Sequence, residues 1–119
     1  MYEEQILDHY HAPRNTGVIE NSTGKVTLSN PLCGDEITMY VKVENNTVSD
    51  IKFEATGCAI SIASASMLSE NLKGKSKEEI MKFSRDDLLE LLGIALTPMR
   101  LKCALLSLEA IQKSLSSQV

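Results

Sequence analysis

The sequence predicts an α+β domain, a three-stranded antiparallel sheet with helices packed on one face. Two observations carry this. Three runs with a period of two lie together between residues 25 and 55, joined by connections too short for a parallel crossover. Before and after them the apolar period becomes that of a helix, with capping boxes and stop glycines at the ends. A length of 119 residues fits one domain, residues 1–119, and neither a repeat nor a linker divides it.

The first element is a helix over Tyr2–His11. Ile6, Leu7 and Tyr10 form its apolar side, Glu3, Glu4 and Asp8 its wet side, and Pro13 ends it. His9 and His11 flank Tyr10 and read as surface or packing residues. Lys25 to Ser29 alternates weakly. Glu36 to Val43 alternates well, with Ile37, Met39, Val41 and Val43 on one face. Glu44-Asn45-Asn46-Thr47 is turn chemistry, and Val48 to Ala55 is the third strand.

After Gly57 the pattern is helical from Cys58 to Leu72, rich in small residues that allow close packing, with Gly74 as a stop. Ser76-Lys77-Glu78-Glu79 and Ser84-Arg85-Asp86-Asp87 are capping boxes that start two short helices. Leu88, Leu89, Leu91 and Leu92 are the apolar content of the second, and Gly93 closes it. Thr97-Pro98 reads as N-cap and first helical position of a last helix that runs to about Ser116 and buries Leu101, Leu105, Leu108 and Ile111. Met39, Met67, Met81 and Met99 read as core filler. Lys73, Lys75 and Lys77 form a small solvated basic cluster.

Composition excludes several functions. Twelve basic residues stand against 16 acidic ones, a net charge of −4, and aromatics are 4%, so nucleic-acid binding is not expected. No apolar run reaches the ~20 residues of a membrane helix. The start MYEEQILDHY lacks the features of a secretory signal, and an odd number of cysteines argues against a disulfide scaffold. The expected location is cytoplasmic.

The three cysteines are Cys33, Cys58 and Cys103. They are either small core residues or convergent ligands. Each falls at an element boundary, where a core residue would more naturally sit mid-element. Helix N-termini stabilise thiolates, the form that binds metals and attacks electrophiles. In Cys33-Gly34-Asp35 the glycine lets the backbone turn, so that thiol and carboxylate aim at one point. Three thiolates and one carboxylate would make a four-coordinate site for Zn²⁺ or iron that can also release it. Asp35 alone reads more simply as a turn residue or a solvated loop charge. The separations of 24 and 44 residues match no ordinary zinc motif, so spacing leaves both readings open.

Four segments, LDHYHAPRNTG (7–17), NPLCGDEI (30–37), KFEATGCAISIASASMLSE (52–70) and RLKCALLSLEAI (100–111), together resemble the U-type iron–sulfur cluster assembly scaffolds, the NifU, IscU and SufU kind. The resemblance spans nearly the whole chain and implies the same sheet-and-helix fold. It implies a site of Cys33, Asp35, Cys58 and Cys103 that holds a transient [2Fe–2S] cluster or iron, with Zn²⁺ as the alternative occupant. It also implies persulfide transfer from a PLP-dependent cysteine desulfurase, with Cys33 or Cys103 as acceptor, and delivery to apo iron–sulfur proteins. The protein would be mainly a scaffold, a monomer or homodimer, with a zinc-dependent sulfurtransferase as the alternative.

Two departures separate the branches. IscU-type scaffolds carry His before the third cysteine, within a segment read by a dedicated Hsp70 chaperone. Here the residue is Lys102 and the segment is Leu96-Thr97-Pro98-Met99-Arg100, so that chaperone is not an expected partner. Lys102 is a candidate for lowering the pKa of a neighbouring thiol. Arg100-x-Lys102-Cys103 is SufU-like, yet the 44-residue separation leaves no room for the SufU insertion.

Overall fold

The computed structural model describes residues 2–31 and 34–116. The helix α1 (Tyr2–His11) is followed by strands β1 (Gly24–Asn30), β2 (Asp35–Glu44) and β3 (Thr47–Thr56). Then come helices α2 (Ala59–Leu72), α3 (Lys77–Met81), α4 (Arg85–Leu92) and α5 (Pro98–Ser116). The strands form an antiparallel meander in the order β1-β2-β3, as the sequence predicts. Asn45 and Asn46, with φ of 52° and 63°, make the two-residue turn between β2 and β3. Asparagine tolerates that left-handed conformation, and its twist matches that of the strands.

One face of the sheet carries the core. Met39 lies opposite Phe53 and Val41 opposite Ile51 across β2 and β3, and all four are buried. Helices α2 and α5 cover this face, α1 packs on α2, and α3 and α4 flank α5. On the other face Tyr40 is covered by Lys25, whose Nζ stands 5.5 Å from the ring centroid. The Tyr40 hydroxyl donates to Glu54 at 3.2 Å. The outer edge of β3 is partly covered by the α1–β1 connection, since Phe53 N–H donates to Asn15 O and Gly17 N–H to Phe53 O. That removes hydrogen-bonding groups a second chain could pair with.

The helix boundaries follow the capping signals. Ser76 and Ser84 both close reciprocal capping boxes. Gly93, in the left-handed conformation, ends α4. Thr97 Oγ1 accepts from Arg100 N–H at 3.4 Å at the start of α5. No helix among the described residues is long and apolar enough to cross a membrane.

Several expected core residues lie elsewhere. Met39 and Met67 are buried, but Met81 and Met99 are exposed. On α1 Ile6 is buried, while Leu7 and Tyr10 are exposed. Because α5 is covered by β1, β2 and α2 together, its buried surface includes Ala104, Leu106 and Ala110 as well as Leu108 and Ile111, and leaves Leu101 and Leu105 half-buried.

Candidate metal centre

The site is built where strand ends meet helix starts. Asp35 is the first residue of β2 and is 1% exposed. Glu36 lies opposite Thr56, the last residue of β3, so the turn that leaves β3 passes beside Asp35. That turn is Gly57-Cys58. Gly57 has φ +140°, and a Cβ there would collide with the Asp35 carboxylate. Glycine is required on both counts. Cys58 is the extended N-cap of α2, and its N–H donates to Asp35 Oδ1 at 2.9 Å. Cys103 sits in the second turn of α5, 1% exposed. Packing of α5 on α2 and β2 brings it to the same place.

One donor atom from each of Asp35, Cys58 and Cys103 lies within 4.8 Å of the others. The Cys58 Sγ stands 3.9 Å from Asp35 Oδ2. Both cysteines are free thiols. Burial pushes the Asp35 carboxyl up, but hydrogen bonds from the Cys103 thiol and the Cys58 N–H, with the Ser61 hydroxyl and the Cys58 thiol close by, outweigh it. The net effect holds Asp35 below its ordinary 3.8, so it is ionised at neutral pH.

This donor set fits a metal. Thiolates and carboxylates bind Zn²⁺ and iron. Two thiolates on one zinc, each at ~2.3 Å, stand about 3.8 Å apart. A set already within 4.8 Å therefore needs only small side-chain rotations to close on an ion.

Of the residues singled out by sequence, the structure brings Asp35, Cys58 and Cys103 together. Cys33 falls outside the described residues. Lys102 is exposed and lines a groove with Ser29, Asn30, Pro31, Leu105, Leu106 and Glu109. His9 is engaged elsewhere, its Nδ1 2.6 Å from Ser66 Oγ. Sequence reasoning missed Ser61, which is 5% exposed and stands 3.8 Å from Cys58 Sγ. Its only signal is a polar residue at the third position of a helix capped by a cysteine.

The sequence profile described as the NifU-like N terminal domain matches residues 1–118. The chain belongs to this family. Among its members, the chain is 43% identical over 115 residues to the iron–sulfur cluster assembly scaffold protein IscU 1 of Archaeoglobus fulgidus, covering 97% of this chain and 74% of that one. It is 38% identical to the zinc-dependent sulfurtransferase SufU of Bacillus subtilis, covering 99% and 91%. That alignment spans 135 positions, more than the 119 residues here, so SufU carries residues this NifU-like chain lacks. A crystal structure described as a scaffold protein for the SUF system, from Fervidobacterium islandicum, superposes with a TM-score of 0.83 at 31% identity, covering 94% of each chain.

Proposed function

We propose that this protein builds a labile [2Fe–2S] cluster on Cys33, Asp35, Cys58 and Cys103. Sulfur arrives as a persulfide from a PLP-dependent cysteine desulfurase, and the cluster is passed to apo-proteins in the cytosol. The single observation that carries the reading is the convergence of Asp35, Cys58 and Cys103 on one point, in a chain whose relatives include IscU scaffolds.

The residues divide the work. Cys58 supplies a thiolate ligand at the start of α2 and is only partly buried, so a held cluster stays within reach of an acceptor. Cys103 supplies the inner thiolate. Its 1% exposure puts it out of reach of a persulfide on another protein, which supports Cys33 as the sulfur acceptor. In that transfer the acceptor thiolate bonds to the terminal sulfur of the donor persulfide. The donor S–S bond breaks, and its electron pair leaves on the donor cysteine. Two such sulfurs and two ferrous ions then need two further electrons from an external reductant to become the cluster. Asp35, already bonded through Oδ1 to Cys58 N–H, is a harder and more replaceable ligand than a thiolate.

Anaerobic reconstitution with ferrous iron, cysteine and a desulfurase tests this. The expected result is a [2Fe–2S] absorption spectrum and about two iron atoms per cluster. Stimulated desulfurase turnover with one retained zinc and no cluster overturns it in favour of a SufU-type sulfurtransferase.

A further inference from the structure

Ser61 is a buried side chain at the site that neither the donor set nor the family resemblance uses. It sits in the first turn of α2, three residues after Cys58, and is 5% exposed. Its hydroxyl donates to the Cys103 carbonyl at 3.3 Å. The same oxygen accepts from the Cys58 thiol at 3.8 Å, and the Asp35 carboxylate is also within its hydrogen-bonding reach. A hydroxyl has one proton and two lone pairs. Ser61 therefore faces all three residues of the cluster with a single proton to give.

A metal held by Cys58 would change what that oxygen, buried 3.8 Å from the sulfur, can do. While Cys58 is a thiol, Ser61 receives from it and gives to the Cys103 carbonyl. Once Cys58 is a metal-bound thiolate it has no proton to give and becomes an acceptor, as is Asp35. We propose that Ser61 is a positioning residue for the bound metal. Its hydroxyl rotates from the Cys103 carbonyl to donate to the metal-bound Cys58 sulfur, holding that ligand in place and withdrawing electron density from it. The proposal rests on the reading of Cys58, Asp35 and Cys103 as ligands. Donors behind a ligating atom typically matter by 10–100-fold in metal affinity, and burial of Ser61 keeps water from replacing the bond.

Neighbouring serines on α2 supply the control. Ser64 is fully buried on the same helix, and its Oγ has no hydrogen-bond partner among the described residues. Losing its hydroxyl tests the effect of an α2 serine as such.

The test uses the full chain and cobalt(II) as probe, read by the thiolate-to-cobalt charge-transfer band and by competition with a chelator. Ser61→Ala should weaken cobalt binding about 10-fold or more and move the band to lower energy, because a thiolate that loses a hydrogen bond gives up its electrons more easily. Ser64→Ala should change neither. Both metal-free variants should unfold within a few degrees of the parent, since alanine suits a helix better than serine. An unchanged affinity and band in Ser61→Ala overturns the proposal alone. So does an equal shift in Ser64→Ala, which would make the effect one of packing. A parent chain with no thiolate–cobalt band overturns both this proposal and the ligand assignment beneath it.

Discussion

The carboxylate of Asp35 lies in the space that a side chain on residue 57 would need. Gly57 is therefore part of the site although it offers no ligand. Its φ of +140° turns the chain from β3 into α2, and its bare Cα lets Asp35 reach the Cys58 N–H.

Gly57→Ala should accordingly damage stability and metal binding together. The backbone conformation alone should cost more than about 1 kcal/mol, and the collision with Asp35 adds to it. Combining it with Asp35→Ala removes the carboxylate that the new Cβ strikes, so the double variant should recover part of the lost thermal stability. Additive losses in the double variant would show that the two residues do not oppose each other sterically.

Asp35→Ala by itself should lengthen the life of a bound cluster, because it removes the replaceable oxygen ligand. Decay of the cluster absorbance in the presence of a chelator measures this. Decay as fast as in the parent would exclude that role for Asp35.

His9 links α1 to α2 through Ser66, and the same serine accepts from Arg14 N–H at 2.8 Å. Burial lowers the His9 pKa below its ordinary 6.5, with Arg14 adding to the effect and Glu70 and Asp8 opposing it. A depressed folded-state pKa means that the unfolded chain takes up the proton first. Its contribution is therefore complete above about pH 6.5 and is lost as the pH falls through the lower folded-state value. Thermal unfolding between about pH 7 and pH 5 should show a steeper loss in the parent than in His9→Asn. Parallel profiles would remove His9 as the cause.

The cap of α4 offers a local test of the fold. Ser84 Oγ accepts from Asp87 N–H at 3.1 Å, and Asp87 Oδ2 accepts from Ser84 N–H at 2.9 Å. Ser84→Ala should cost about 0.5–2 kcal/mol in denaturant unfolding.

Much of this was legible in the sequence because its cause is local. The alternation of Ile37, Met39 and Val41 specifies a strand face, and serine followed three residues later by an acid specifies a cap. Asp35, Cys58 and Cys103 were legible as chemistry-bearing residues at element boundaries. Their convergence needs the packing of α5 on α2 and β2, which local pattern does not encode. The same tertiary origin explains Leu106 buried where Leu105 is only half-buried, and Leu7, Met81 and Met99 exposed despite apolar side chains. Ser61 and Ser66 looked like helix-compatible small residues. Their roles arise from partners 42 and 57 residues away.

The central claim is that the cluster is carried in order to be given away. The most direct measurement is transfer from the reconstituted protein to an apo-ferredoxin in the presence of a chelator that captures free iron. The account predicts that the ferredoxin gains its spectrum as the scaffold loses its own, at a rate the chelator does not change. A cluster that stays on this chain, or reaches the ferredoxin only when the chelator is left out, would contradict it.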